Sequence, residues 1–145
     1  MLEVERAEGS RVVSSGRYFT CFVPYAAYSP YSLWLVPHEH QSCFSRATDD
    51  ELEDLAEVLK DVLSRFYVGL GDPSYNLVMR LPSRDYLGVT SAHWYMAIVP
   101  RLGKAAGFEM GTGMFINTSL PEKDAAFLRE VLLEAHRGDL RTPQS

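Results

Sequence analysis

Three of the chain's four histidines fall in two short stretches, PHEHQSCF over residues 37–44 and SAHWYMAIVP over residues 91–100. His40 and Cys43 form an H-x2-C pair, two metal-capable groups one short turn apart. Structural zinc takes four such ligands, and His93, from a distant strand, would bring the count to three. Three ligands fall short of that set, and from these residues alone the reading is an exposed polar loop carrying a buried thiol. A catalytic His93 would have to present one ring nitrogen to phosphorus while an acceptor holds the other. Strand alternation puts His93, Tyr95 and Ala97 on one face and Trp94, Met96 and Ile98 on the other. The phenol and methyl that follow His93 add no nucleophile for phosphoryl chemistry at neutral pH. Taken alone, His93 reads as a hydrogen-bonded structural histidine.

The other chemical candidate is GFEMGTGMFIN, residues 107–117. Gly107, Gly111 and Gly113 permit close backbone approach, and Glu109 is a carboxylate among small and apolar residues. A carboxylate and an amide, here Glu109 and Asn117, can pair with sugar hydroxyls, and such sites are often built on loops. A tight loop with a solvated Glu109 explains the residues equally well. No GxGxxG is present, so a dinucleotide fold is not indicated.

These residues need elements to position them. Thr48-Asp-Asp-Glu51 is a capping box, and it opens a helix in which Leu52, Leu55, Ala56, Leu59, Val62, Leu63 and Phe66 form the predicted apolar face. GLGDPS ends it. Ser119-Leu-Pro-Glu122 reads as a second capping box, opening a helix to about His136 with Phe127, Leu128, Val131, Leu132 and Ala135 inward. YFTCFV, SLWLVP, YNLVMRLP and SAHWYMAIVP read as strands, and Ser-Ser-Gly at 14–16 as a turn. LEVERAEGSR is a helix end or an arm, and the tail after His136 is a mobile end. The order predicts an α+β domain with a mostly antiparallel sheet and helices on one face.

The 145 residues suit one compact domain, residues 1–145, with 46% hydrophobic and 23% charged residues. A net charge of −5 without a basic cluster argues against a nucleic-acid partner. No apolar run approaches membrane-spanning length, and the charged N-terminus is no signal peptide. Two cysteines suit a reducing compartment, so a cytoplasmic location is expected.

VPYAAYSPYSLWLVPHEH, the capped helix, SAHWYMAIVPRL and GFEMGTGMFIN occur in one order that carries a resemblance. From about Val12 to about Ala135 the chain resembles the C-terminal half of galactose-1-phosphate uridylyltransferases and of ADP-glucose phosphorylase-type enzymes, within the histidine triad superfamily. The resemblance implies a histidine triad-like sheet with helices packed on one face. It also implies a ping-pong nucleotidyl transfer through a covalent nucleotidyl-histidine. The family's nucleophile lies in a His-Pro-His motif of the N-terminal half, and no His-Pro-His occurs here, so this chain alone is expected to be inactive and to have no catalytic residue. By the family's register His93 holds the first histidine position, Tyr95 the nucleophile's position and Ala97 the third.

The resemblance further implies a structural zinc, with His93 and either His40 or Cys43 as ligands and the family's cysteine pair falling before Met1. It implies that Phe108, Glu109, Gly111, Thr112 and Asn117 contact a hexose 1-phosphate or nucleotide sugar, in a full-length enzyme that is a homodimer. Lys104 falls near a phosphate-side lysine of the uridylyltransferases, at a shorter spacing to Glu109. The rival expectation is a non-catalytic histidine triad-like binding or interaction domain.

Overall fold

The computed structural model describes residues 2–82, 93–103 and 117–139, with side chains described up to residue 131. The elements are α1 (Leu2–Glu8), β1 (Val12–Ser15), β2 (Phe19–Phe22), β3 (Leu33–Pro37), a 3-10 turn (Phe44–Arg46), α2 (Asp49–Leu70), β4 (Tyr75–Arg80), β5 (Tyr95–Pro100) and α3 (Pro121–Asp139). The strands form one five-stranded sheet in the order β1-β2-β3-β5-β4, antiparallel at every pairing. This is the expected α+β arrangement.

Register follows from alternation in strands two and three. Cys21, Leu35, Met96 and Met79 lie opposite one another in successive strands and make one row of the helix-bearing face. Phe22, Trp34, Ala97 and Val78 make the matching row of the other face. Phe19, Cys21, Leu33, Leu35, Trp94 and Ile98 are buried against Leu55, Val58, Val62 and Phe66 of α2 and Ala125 and Leu128 of α3. The core therefore sits between the sheet and the two long helices.

Helix α2 begins as its sequence dictates. Glu51 N–H donates to Thr48 Oγ1 (3.3 Å), and Thr48 N–H donates to Glu51 Oε2 (2.8 Å). Gly71, at φ 74°, closes it in the left-handed conformation, with its N–H on Tyr67 O. The apolar face is largely the one expected, with Leu55, Val62 and Phe66 buried and Leu59 and Leu63 packed against the core, but Val58 joins it while Ala56 is exposed and Leu52 is 40% exposed. Spacing alone could not choose between two overlapping stripes; the sheet beneath did.

Helix α3 departs from the expected cap. It starts at Pro121, a favoured first helical residue, so Ser119 stands one position too early to cap it. Glu122 instead accepts a hydrogen bond from Arg11 Nη1 (2.8 Å), and the Ser119 hydroxyl meets the carboxylate of Asp124. Asp124 is buried and also accepts the N–H of Tyr31 (2.9 Å), whose φ is 59°. Phe127 is not an inner residue: it is 39% exposed and meets Tyr31 edge-on, while Ala125 takes the buried position.

Two polar clamps hold the β1 end of the sheet. Asp54 of α2 accepts backbone N–H groups of Arg17 (2.8 Å), Tyr18 (2.8 Å) and Phe19 (3.1 Å), closing the turn between β1 and β2. A Cβ on Gly16 would lie 2.2 Å from Asp54 Oδ1, so only glycine leaves room for the carboxylate. Arg11 binds both carboxylate oxygens of Glu5 (2.9 Å each) and reaches Glu122, tying α1 to the start of α3.

Candidate functional site

The two histidine stretches meet at one end of the sheet. Loop 38–43 leaves β3, and His93 and Trp94 lead into β5, the strand beside it. Trp94 is fully buried between Phe19 (5.8 Å between ring centroids) and Phe44 (5.0 Å). Gln41 fixes its polar groups: Gln41 O accepts the Trp94 backbone N–H (3.0 Å) and Gln41 Oε1 accepts the indole N–H (3.3 Å). Gln41 Nε2 donates in turn to Glu51 Oε1 (2.5 Å), whose second oxygen caps α2. The N-terminus of α2, the loop and the start of β5 are thereby one hydrogen-bonded unit.

That unit aims His93. Its Nε2–H donates to Pro37 O (2.9 Å), which fixes the tautomer and leaves the lone pair on Nδ1. Nδ1 is buried and has no hydrogen-bond partner among the described residues. Burial pushes the His93 pKa down, the Pro37 carbonyl opposes this, and the neighbouring His40 adds to the lowering. A neutral imidazole with a buried bare nitrogen is the state that a metal or a donor group of a ligand would meet.

His40 does join His93: the rings are edge to face, with centroids 4.9 Å apart. Cys43 does not complete a set with them. Its Sγ lies 2.9 Å from Ser45 Oγ, and the hydrogen bonds from Ser45 draw the thiol's pKa down. Among the described residues no three histidine, cysteine or carboxylate side chains are grouped to hold a metal ion. Two imidazoles fit half of a tetrahedral zinc set, and the unpaired Nδ1 suits a ligand, but the described residues do not supply the rest.

The other expected residues separate into two groups. Phe108, Glu109, Gly111 and Thr112, together with Lys104, lie outside the described residues. Asn117 is described, and its amide works within the chain: Nδ2 donates to Ala27 O (3.1 Å) and Oδ1 accepts Ser119 N–H (3.0 Å). It anchors the end of the glycine segment beside the entry to α3. Tyr95 lies on the sheet face opposite the helices, its ring 4.5 Å from Trp34.

Two further polar groups were not visible as site residues in the sequence. Gln41, the keystone of the Trp94 unit, carries no motif. Ser15, Thr20 and His38 form a chain, with Ser15 Oγ 3.0 Å from Thr20 Oγ1 and that oxygen 2.8 Å from His38 Nε2. Burial foremost, then the charge of Arg6, pushes the His38 pKa down. Only strand pairing brings Ser15 opposite Thr20.

No protein-family profile matches the chain. It is homologous to an ADP-glucose phosphorylase of Arabidopsis thaliana, 36% identical over 127 residues, which covers 84% of this chain and 35% of that protein. It is also homologous to a galactose-1-phosphate uridylyltransferase of Thermotoga maritima, 30% identical over 142 residues, 91% of this chain and 44% of that protein. The crystal structure of an Arabidopsis thaliana ADP-glucose phosphorylase with bound ADP-glucose superposes with a TM-score of 0.78 at 34% identity, over 87% of this chain and 42% of that one. A hypothetical histidine triad nucleotide-binding protein from Sulfolobus tokodaii shares the fold, with a TM-score of 0.64 at 15% identity over the full length of both chains. The chain thus spans less than half the length of the curated relatives it matches.

Proposed function

We propose that this chain is the sugar-phosphate-binding half of a hexose-1-phosphate nucleotidyltransferase, of the kind that its homologues' names describe. Its homology to transferases of this type rests on the relatives already given. The observation that carries the division of labour is the register of the strand: His93 is neutral and turned to Pro37 O, and the next outward position is Tyr95, stacked on Trp34. The bare Nδ1 of His93 is buried, and the phenol of Tyr95 is no nucleophile for phosphoryl chemistry at neutral pH. The covalent step therefore belongs to a histidine outside this sequence. Its nitrogen would attack the α-phosphorus of a nucleotide sugar and expel the sugar phosphate, and an oxygen of the acceptor phosphate would then displace the histidine.

In this reading Glu109, with Phe108, Gly111 and Thr112, holds the hexose or its phosphate, and Asn117 sets where that segment rejoins the fold. His40 and His93 are the chain's contribution to a structural zinc completed by ligands beyond the described residues, and no chemical step passes through it. The cytoplasmic setting belongs to the same proposal and rests on the two free thiols.

The test has two arms. Purified chain incubated with UDP-glucose or ADP-glucose is expected to show no mass increase for a nucleotidyl adduct. Titration calorimetry with glucose 1-phosphate and galactose 1-phosphate is expected to show binding that Glu109→Gln weakens by roughly tenfold or more, the loss of a hydrogen bond to a charged group. An adduct on this chain refutes the register argument. No binding of either sugar phosphate would leave the rival reading, a non-catalytic interaction domain.

A further inference from the structure

The edge of the sheet at β1 opens on a pocket of about 430 Å³, within the size range of small-molecule sites. Its walls come from α1 (Arg6), β1 (Val13, Ser14, Ser15), β2 (Thr20) and α3 (Arg129). Among the described residues two guanidinium groups line it and no carboxylate does, in a chain whose net charge is −5. The nearby acids are already engaged. Glu5 and Glu8 of α1 and Glu122 of α3 all pair with Arg11. Arg6 and Arg129 have no ion pair among the described residues. Two like charges around one pocket repel each other unless an anion stands between them.

Arg129 is fixed from one side. Its Nη1 donates to Ser10 O (3.2 Å) and Val12 O (2.5 Å), the carbonyls that lead into β1. That leaves the edge formed by Nε–H and Nη2–H, two parallel donors in one plane, without a partner among the described residues. A guanidinium already held by backbone loses little freedom when this fork binds an oxyanion. The hydroxyls add neutral donors. Ser14 Oγ has no hydrogen bond among the described residues and lines the pocket. Ser15 Oγ lies 3.0 Å from Thr20 Oγ1, which lies 2.8 Å from His38 Nε2. In the tautomer with its proton on Nε2, His38 donates to Thr20, Thr20 donates to Ser15, and the Ser15 proton faces outward.

We propose that this pocket binds a doubly charged phosphoryl group, as inorganic phosphate or as a small phosphate monoester. The donor set selects the ligand. A carboxylate has two oxygens, which the Arg129 fork alone would fill, leaving Arg6 and both serine hydroxyls unused. A phosphoryl group carries three terminal oxygens and a charge that answers both guanidinium groups. One oxygen pair meets the fork of Arg129, and the remaining oxygen faces Arg6 and the hydroxyls of Ser14 and Ser15. Val13 and the backbone of β1 close the floor, so the organic part of a monoester would extend outward past Arg6, which is exposed. The proposal does not rest on the nucleotidyltransferase reading, since it uses none of the residues assigned to sugar phosphate or zinc.

Titration of the full chain with inorganic phosphate and with glycerol 3-phosphate, at constant ionic strength and followed by proton–nitrogen correlation NMR, is the direct test. The expected result is saturable movement of the Arg129 Nε–H signal and of amides in residues 9–15. Tighter binding of inorganic phosphate identifies the free ion as the ligand, and tighter binding of glycerol 3-phosphate identifies a monoester. Arg129→Lys keeps the charge and loses the fork, and it is expected to weaken binding roughly tenfold. Arg6→Gln changes an exposed residue that makes no ion pair, so the fold is retained, and a loss of roughly threefold is expected for a solvent-screened charge. Binding of neither probe overturns the proposal. So does binding that is indifferent to Arg6→Gln, or spectral movement confined to residues outside this pocket.

Discussion

Replacing Gln41 with leucine removes the side chain that joins the helix α2 cap to the tryptophan before β5, at nearly constant volume. Two bonds are lost. The indole N–H of Trp94, fully buried, loses its acceptor at 3.3 Å, and Glu51 Oε1 loses its donor at 2.5 Å. A neutral hydrogen bond contributes about 1 kcal/mol net, one to a charged group about 1.5–3, and a buried donor left unmade costs about 1–3. The backbone bond from Trp94 N–H to Gln41 O survives, and Glu51 Oε2 still caps Thr48, so the loop stays tethered. The expected loss is about 2–3 kcal/mol, corresponding to a fall in Tm of roughly 4–12 °C for a domain of this size.

Urea denaturation of the unaltered chain, Gln41→Leu, Trp94→Phe and the double variant measures both the loss and its origin. In Trp94→Phe the donor disappears with its acceptor's need, so adding Gln41→Leu should cost less than it does beside Trp94. The two changes should therefore couple by about 1 kcal/mol. A Gln41→Leu variant within 0.5 kcal/mol of the parent, or strict additivity in the cycle, refutes the view that this side chain holds the unit together.

Gly16→Ala and Asp54→Ala should each destabilise by about 2 kcal/mol in urea titrations, because either change empties the same three-donor seat, and the double variant should cost little more than the worse single one. Arg11→Ala leaves the Glu5 carboxylate buried without its partner; detachment of α1 limits the loss to about 2–3 kcal/mol, and protease cleavage within residues 2–10 should accelerate before global unfolding does. His93 and His38 both have folded-state pKa values below the ordinary 6.5, so their neutral forms stabilise the fold. That stability is fully present above pH 6.5 and is lost as the pH falls towards each folded value. His93→Gln, which keeps a donor for Pro37 O, should flatten the acid limb of a stability-against-pH curve, and an unchanged limb refutes the assignment. Zinc titration of the chain followed by NMR should move His40 and His93 ring signals together, and movement of neither removes the zinc reading.

Much of the scaffold was legible because its signals are local. The Thr48–Glu51 box, the glycine stop at Gly71 and the alternation of β5 each depend on neighbours within a few residues, and each appears where expected. Alternation also separates Trp94, Met96 and Ile98 from Tyr95, and the docked helices make the first set the inner face. What misled was competition between local rules. Ser119 and Glu122 have the spacing of a cap, but Pro121 is a better first residue of a helix than second, and Arg11 offered Glu122 a stronger partner. Leu52 and Phe127 sit on plausible apolar stripes, and the sheet's position turned both towards water.

The sequence by itself determined that this chain is an α+β unit with a histidine at the head of one strand and a tyrosine two residues on, on the same face. Those are properties of residue type and period, which one chain displays without a partner. The tertiary structure alone decided what each group meets. It brought His40 to His93 and left Cys43 with Ser45, turned Asn117 to Ala27 O, and made Gln41 the link between α2 and Trp94. Such contacts join residues up to 90 positions apart, and hydrogen bonds at that range are set by sheet register and helix docking, for which no short stretch of sequence carries a signal.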